Sequence, residues 1–264
     1  IWQERIAEVT WTSRPRQALA AVFAFVRTEA AALVAMSIIS GALLVFVGIA
    51  DEMTEGDSHA FDMAVLQTLH PEAGNPVGPA WLQHAAEDFT SFGSISVLVT
   101  ITLAAGGFLL LRRRSLEAVI LAVALGGGLA ISEGLKGFFS RARPPDIYRA
   151  VEALNPSFPS GHALLSAVVY LTLGAMLARS TKSRAIRTYV MTGAILIAML
   201  VGVTRVYLGV HWASDVLAGW CLGAAWGTAC WMFERWAVAR LGKRGGETAV
   251  DQAPEAARRT STTS

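Results

Sequence analysis

Apolar runs recur along the chain and are separated by polar or charged segments; only the third run carries charges, Glu133 and Lys136, on its last turns. The six runs lie at residues 30–50, 89–111, 118–139, 162–178, 188–204 and 216–233. At a rise of about 1.5 Å per residue, about 20 apolar residues cross a hydrocarbon core of about 30 Å. The last three runs are shorter, but polar motif residues at their borders can continue the helices. The pattern therefore predicts an all-α, polytopic membrane protein with six transmembrane helices.

A shorter helix is expected between the first two spans. Phe61, Val65, Leu66 and Leu69 recur at helical spacing before Pro71. A short amphipathic helix on the outer leaflet would present this stripe to lipid. The same loop contains His59, His70 and His84. Their spacing fits no familiar ligand set, so we expect solvated or capping histidines rather than a metal site.

Composition divides the chain into three parts. Residues 1–29 mix four arginines with tryptophan and phenylalanine, which suits an interfacial segment at an anionic membrane surface and equally an ordinary solvated segment. Residues 30–240 hold the six spans. Residues 241–264 are small, polar and charged, a composition typical of a disordered tail. We therefore expect one membrane domain with a basic lead-in and a disordered tail.

Basic side chains accumulate in alternate connections between the spans. Residues 112–114 are all arginine, and further Lys and Arg lie at 179–187 and 235–244. The positive-inside rule places these connections, and both termini, in the cytoplasm. The acidic loop at 51–88, the loop at 140–159 and the turn at 209–211 then face outward. We expect a multi-pass protein of the inner (cytoplasmic) membrane.

The composition also limits the kinds of partner and metal site that this protein can have. Hydrophobic residues make up 53% of the 264 and charged residues 16%, against about 25% charged in a soluble domain. The formal charge is +2, without the basic and aromatic interleaving of a nucleic-acid surface, so we expect no nucleic-acid partner. The two cysteines lie in one apolar run, which excludes a disulfide framework or a Cys-x-x-Cys metal site.

Three strong polar groups lie at the border of the last two runs, where unpaired polar groups are costly. They are Arg205, His211 and Asp215. In a helix, His211 and Asp215 would share one face. A carboxylate on one imidazole nitrogen leaves the other free as base, ligand or nucleophile. Taken alone, the pair fits this chemistry and simple packing at a helix end equally well.

Two further motifs favour the chemical interpretation. Lys136 precedes Arg143 and Pro144 in a Lys-x6-Arg-Pro pattern, and residues 159–162 are Pro-Ser-Gly-His. Together with the stretch 204–215, their order and spacing resemble the type-2 phosphatidic acid phosphatase superfamily, whose third motif is Ser-Arg-x5-His-x3-Asp. Thr204 stands where that family usually has serine, so a hydroxyl is retained. The resemblance implies an integral-membrane lipid phosphatase.

The resemblance also implies a role for each reactive side chain. His211 is the expected nucleophile, which forms a phosphohistidine, and Asp215 orients its ring. His162 is the expected general acid, which protonates the leaving oxygen and then activates water. Because a nucleophile must be neutral and an acid must carry a proton, the two imidazoles need different surroundings.

A phosphate ester is a dense anion that must be held before its P–O bond breaks. Lys136, Arg143 and Arg205 are the cations at the outer helix ends, and the planar guanidinium suits phosphate oxygens. Ser160 adds a hydroxyl. Gly161 has no side chain to keep a phosphate from the backbone N–H groups of the helix start. These five residues are the predicted phosphate site.

Two nearby arginines match no motif. We assign Arg141 and Arg149 as charges at the rim of the site. No metal or other cofactor is expected, since positioned cations can stabilise the charge that a metal ion would otherwise take.

The expected function is hydrolysis of a lipid phosphate or diphosphate at the outer face of the membrane. Substrates used by such relatives are undecaprenyl diphosphate, phosphatidylglycerol phosphate, phosphatidic acid and lipid A phosphates, and the sequence does not select among them. One alternative is a phosphotransferase, which differs in what attacks the phosphohistidine. Another is a transporter or lipid-binding protein, but that class predicts charges near the bilayer midplane, whereas these cluster at one face.

Overall fold

The computed structural model describes the backbone of residues 14–72, 75–151 and 155–260, and side-chain surroundings within these ranges from residue 29 to 240. No β-strand occurs in these ranges. The helices are α1 (Arg14–Glu55), α2 (Ser58–Leu69), α3 (Ala80–Thr90), α4 (Ile95–Leu111), α5 (Ser115–Phe139), α6 (Gly161–Arg179), α7 (Arg184–Tyr207) and α8 (Ala213–Thr260). Short 3₁₀ turns lie at Ser91–Gly93 and Asp146–Tyr148.

Long apolar helices confirm the expected all-α, multi-pass membrane fold. Five helices in the described part of the chain are long and apolar enough to cross a membrane: most of α1, then α5, α6, α7 and the first part of α8. Helices α3 and α4, joined by the 3₁₀ turn, are bent by 49° relative to each other. Counted together as one broken span, they are long and apolar enough to be the sixth. The predicted count of six therefore depends on the broken span.

The second span differs from the continuous helix expected at 89–111. The backbone leaves the helical path at Ser94, whose side chain caps α4 by accepting from the Val97 N–H at 3.4 Å. Just before it, Gly93 makes a close approach: a Cβ there would lie 2.4 Å from Val201 and 3.2 Å from His162. The break therefore lets the chain pass directly over His162.

Helix α6 forms the centre of the bundle and packs against α5, α7 and α8. Two tryptophans of α8 pack against glycines of α5 and α7. Trp226 lies on Gly127 of α5, where a Cβ would be 2.3 Å from the indole, and donates to the Ala124 carbonyl at 2.9 Å. Trp220 lies on Gly202 of α7 in the same way, at 2.4 Å. Small residues thus let bulky side chains approach the backbone.

Helix α2 confirms the expected short helix between the first spans, but its predicted stripe is only partly right. Leu66 is 2% exposed and faces inward with Ser58 and Asp62, the other buried residues of α2. Phe61 and the rest of the stripe line an apolar groove shared with α3, α7 and α8. The inward face was missed because two of its three residues are polar.

The three histidines of this loop separate into two kinds. His70 is 2% exposed, and its Nδ1 lies 3.2 Å from the Leu66 carbonyl at the end of α2, as expected of a capping residue. His59 and His84 are exposed, as expected of solvated ones. Burial lowers the pKa of His70 below its usual value, so this ring is neutral near pH 7.

Helical backbone extends into both segments that composition set apart. Helix α1 begins at Arg14, so part of the predicted interfacial segment is continuous with the first span. Helix α8 ends at Thr260, within the tail for which disorder is predicted. Residues 1–13 and 261–264 lie outside the described residues. The division of the chain at residues 29 and 240 stays a prediction.

Candidate active site

The end of α5, the start of α6, the end of α7 and the turn before α8 lie at the same end of the bundle, because residues from all four line one cavity. The three sequence motifs lie at these ends. A cavity of about 240 Å³ opens between them. Its lining residues are Gly93, Ile95, Ser132, Glu133, Lys136, Arg143, Asn155, Gly161, His162, Leu165, Arg205 and His211. Six of the eight predicted site residues thus share one cavity, and Ser160 and Asp215 lie behind them, fully buried.

Each of the three cations of the cavity is held by one or two protein oxygens. Lys136 Nζ lies 2.8 Å from Glu133 Oε1. Arg143 donates to the carbonyl of Asn155 at 2.7 Å and to that of Val210 at 2.6 Å. These contacts fix the cations while leaving donors that can bind an anion.

Arg205 is the most buried of the three cations, at 6% exposure. Its Nη1 donates to Thr90 Oγ1 at 3.2 Å. Within the described residues its Nε finds no acceptor, and the hydroxyls of Ser132 and Ser160 are likewise without a protein partner. Buried donors of this kind are normally satisfied, and a phosphate in the cavity would supply acceptors.

The Pro-Ser-Gly-His motif forms the start of α6. The Ser160 N–H donates to the Asp215 carbonyl at 3.0 Å, which ties this motif to the third one. A Cβ at Gly161 would lie 3.0 Å from Ser132 Oγ and 3.3 Å from Lys136 Nζ. The glycine therefore keeps open the space between the helix start and the lysine, where an anion gains from the free N–H groups and the helix dipole.

The ring of His211 is 2% exposed and is contacted at both nitrogens. Its Nδ1 lies 3.3 Å from Asp215 Oδ2, and its Nε2 lies 3.2 Å from Arg143 Nη1. A guanidinium only donates, so Nε2 carries the lone pair and Nδ1 carries the proton. Burial lowers the pKa of His211 well below its usual range, and the positive charges of the three cations lower it further. The ring is thus neutral, with its lone pair toward Arg143, another residue that lines the cavity.

The turn before His211 requires a glycine. Gly209 has a φ of +66°, and a Cβ there would lie 2.0 Å from the Tyr148 carbonyl oxygen. The neighbouring Leu208 carbonyl accepts from the Ala150 N–H at 3.1 Å. The loop between α5 and α6 therefore packs against the turn that presents His211.

Arg141 is not at the rim, contrary to the prediction. Its Nη1 lies 2.6 Å from Asp215 Oδ1 and its Nη2 lies 2.7 Å from Asp62 Oδ2, and both carboxylates are fully buried. Arg149 does fit a rim position, because it pairs with the exposed Asp146. The two arginines are alike in sequence context, and only the fold brings buried carboxylates to the first.

Asp62 and Ser214, which lie behind the cavity, were not predicted from the sequence. Asp62 accepts from the Ser214 N–H at 2.9 Å and from the Ser214 hydroxyl at 2.6 Å. The one available signal was Asp62 itself, an acidic residue four positions from both Ser58 and Leu66, hence on one helical face. Nothing local indicates that this face docks against the start of α8.

The arrangement combines an anion site with acid–base groups. Three cations and a helix start face the cavity, and so do a neutral imidazole and a second imidazole, His162. Among the described residues, no group of three or more His, Cys, Asp or Glu is arranged to hold a metal ion. The residues of the cavity can therefore bind a phosphate and transfer its phosphoryl group to nitrogen.

Comparison with known proteins gives related sequences. The chain matches the PAP2 superfamily over residues 117–239, a range that contains all three motifs. It is 32% identical over 147 residues to phosphatidylglycerophosphatase B of Bacillus subtilis, covering 54% of this chain and 70% of that protein. It is also 32% identical over 121 residues to the undecaprenyl-diphosphatase of Sulfolobus acidocaldarius, covering 44% of this chain and 54% of that protein.

Solved structures show the same fold. The transmembrane PAP2-type phosphatidylglycerolphosphate phosphatase from Bacillus subtilis has a TM-score of 0.70 and 26% identity, covering 75% of this chain and 96% of that one. LpxE from Aquifex aeolicus has a TM-score of 0.51 and 22% identity, covering 64% and 94%. The second likeness is one of fold alone.

Proposed function

We propose, from the premise that this chain belongs to the PAP2 superfamily, that it is a membrane phosphatase that hydrolyses lipid phosphates through a phosphohistidine. The observation that carries the proposal is the cavity in which the neutral His211 ring, with its lone pair toward Arg143, lies beside three cations. The names of the relatives, phosphatidylglycerophosphatase B and undecaprenyl-diphosphatase, support a lipid carrier for the phosphate.

The first step transfers the phosphoryl group to the enzyme. His211 Nε2 attacks phosphorus, a P–N bond forms, and the P–O bond to the lipid breaks. His162, which lines the same cavity, gives its proton to the leaving oxygen. Asp215 accepts from Nδ1 and stabilises the positive charge that the ring gains.

The second step returns the enzyme to its starting state. His162, now neutral, takes a proton from water, and the hydroxide attacks phosphorus. The P–N bond breaks, inorganic phosphate leaves, and the lone pair returns to His211 Nε2. Lys136, Arg143 and Arg205 hold the phosphoryl oxygens throughout, and such positioned charge is usually a large part of the catalytic effect.

We place the cavity on the outer side of the inner membrane. The arginine-rich connection at 112–114 and the basic connection at 179–187 lie at the opposite end of the bundle from the cavity, and basic loops are retained in the cytoplasm. Phosphatidylglycerol phosphate and undecaprenyl diphosphate in the outer leaflet are therefore the substrates to test first.

Purified protein in detergent tests the proposal against a panel of lipid phosphates, with phosphate release as the measurement. We expect release from at least one lipid, retained in EDTA and inhibited by vanadate. His211→Ala should abolish release from every substrate, because no phosphohistidine can form. The matched control is His84→Ala, since His84 is exposed and outside the cavity. Full activity of His211→Ala, or release that EDTA abolishes and Mg²⁺ or Zn²⁺ restores, would contradict the proposed chemistry.

A further inference from the structure

Arg141 joins three segments that are far apart in the sequence. It belongs to the loop after α5 and bonds Asp62 of α2 at 2.7 Å and Asp215 of α8 at 2.6 Å. The same Nη1 also donates to Ser214 Oγ at 2.8 Å. The guanidinium further lies 5.6 Å from the Trp212 ring centre. One planar side chain thus bridges two buried carboxylates and contacts the start of α8.

Asp62 completes this arrangement from the other side. Its Oδ1 accepts from the Ser214 N–H, one of the first amides of α8, and its Oδ2 accepts from the Ser214 hydroxyl. An acidic group at a helix start is favourable because the first N–H groups have no partner within the helix. Asp62 therefore holds both the guanidinium and the start of α8, although it belongs to another helix.

The consequence reaches His211 through Asp215. Asp215 Oδ1 is bound by Arg141, while Oδ2 accepts from the Trp212 N–H at 3.0 Å and lies 3.3 Å from His211 Nδ1. The contact with Arg141 is the shortest of the three. Arg141 holds one oxygen of this carboxylate and the Trp212 N–H holds the other, so Arg141 helps to fix the plane in which the second oxygen faces the ring.

We infer that Asp62 and Arg141 are positioning residues for the nucleophile. Asp62 orients Arg141, Arg141 orients Asp215, and Asp215 holds the Nδ1 side of the His211 ring while Arg143 contacts Nε2. Helix α2 is in this way part of the reaction centre. The inference rests on the proposed phosphohistidine chemistry, and it adds a requirement outside the three motifs.

Asp62→Asn tests the inference because it removes a charge while keeping the size of the side chain. The measurement is the burst of phenol from an aryl phosphate, which reports transfer to His211. We expect the burst rate to fall on the order of 10²-fold, because a small misplacement of reacting groups slows a reaction by about this factor. Competitive inhibition by inorganic phosphate, which reports the three cations, should be unchanged. The control is Asp146→Asn, since Asp146 also pairs with an arginine but is exposed.

Arg141→Lys provides a second variant. A lysine keeps the charge but lacks the planar donors that bridge two carboxylates, so we expect a lower burst rate than in Arg149→Lys. An Asp62→Asn burst equal to that of Asp146→Asn overturns the inference. So does a variant that loses both the burst and phosphate inhibition, because the pair would then hold the whole cavity together rather than position one ring.

A readout without turnover separates this inference from the proposed function. The protein has five histidines, and ¹⁵N labelling of their rings reports the tautomer of each by NMR. Arg143 favours the Nδ1–H tautomer of His211 through Nε2 in both proteins, so we expect the Nδ1 signal of His211 to shift in Asp62→Asn, because the hydrogen bond from Nδ1 to Asp215 is altered. Identical His211 signals in the two proteins overturn the inference. If the unchanged protein hydrolyses no phosphate ester, the proposed function fails, and the comparison of the His211 signals still decides the role of Asp62.

Discussion

Arg143 contacts the nitrogen of His211 that is proposed to attack phosphorus. The 3.2 Å contact with Nε2 needs the lone pair, so it keeps this nitrogen unprotonated before substrate arrives. A bound phosphate offers stronger, charged acceptors to the same guanidinium. When Arg143 turns to the phosphate, it releases the lone pair at the moment it is needed. In the proposed mechanism, one residue thus protects the nucleophile and then binds the substrate.

This role gives a prediction for pH dependence. Arg143→Gln removes one of the charges that lower the pKa of His211, so that pKa rises toward its ordinary value of about 6.5. A protonated ring cannot attack, and the rate is lost as pH falls through its pKa. The acid limb of the burst rate at saturating aryl phosphate should therefore move to higher pH.

Arg149→Gln is the control for this shift. Arg149 lies in the same loop but pairs with Asp146, so its loss should leave the limb in place. Protonation of the aryl phosphate affects the pH profiles of the unchanged protein, Arg143→Gln and Arg149→Gln equally. It therefore does not contribute to the difference between their acid limbs. A limb that moves to lower pH in Arg143→Gln would mean that the arginine does not act on His211 in this way.

His162→Ala should affect substrates unequally. A general acid is worth about 10²–10⁴-fold, and most of that help is needed by a poor leaving group such as a lipid alkoxide. The variant should therefore keep relatively more burst activity with an aryl phosphate than with a lipid phosphate. Steady-state rates hide the difference, because His162 also activates water. If His211→Ala kept a burst and His162→Ala had none, the two roles would be exchanged.

For individual residues, the sequence predicted those site residues that belong to local motifs. Lys136, Gly161 and His211 are recognisable because their spacing along the chain is itself the signal, and they share one cavity. Arg141 was not predicted as a buried bridge, because its partners lie 74 and 79 residues away. Its contacts follow from helix packing, which no local pattern records.

Among the elements, the broken second span shows most clearly what hydropathy leaves out. Residues 89–111 form one apolar run, yet the helix stops before Ser94. The break is stabilised from outside the run. Tyr170 of α6 donates its hydroxyl to the Phe92 carbonyl at 2.9 Å, satisfying one acceptor that the interrupted helix leaves unpaired. A partner on another helix therefore helps to stabilise the bend in this span.

Gly93→Ala should lower both stability and activity. Its Cβ would meet Val201 and the ring of His162, and such overpacking costs about 1–3 kcal/mol. Displacing His162 should also slow the burst with a lipid phosphate more than with an aryl phosphate. Gly106→Ala in α4 is the matched control, because nothing lies within 4 Å of its Cβ. The measurements are thermal unfolding in detergent and the two burst rates. Equal behaviour of the two variants would show that the close approach at Gly93 has no role.

For the whole molecule, the charge of the connections predicts its orientation. A reporter fused after Arg114 or at the C-terminus should read as cytoplasmic, and one inserted near Gly74 should read as external. The reason is the retention of Lys- and Arg-rich loops in the cytoplasm. A reporter inserted near Lys182 serves as a further cytoplasmic reference. The opposite pattern would place the cavity inside and remove outer-leaflet lipids from the set of substrates.

Asp62 and Ser214 are 152 residues apart in the sequence, so the ribosome makes them at clearly different times. At a synthesis rate of about 5–20 residues per second, roughly 8–30 s pass between the appearance of the two residues on the ribosome. Over that interval the carboxylate of α2 lacks Ser214 and is best kept hydrated. The contacts of Asp62 with the start of α8 can therefore form only after Ser214 has been made, so this part of the fold is completed late in synthesis.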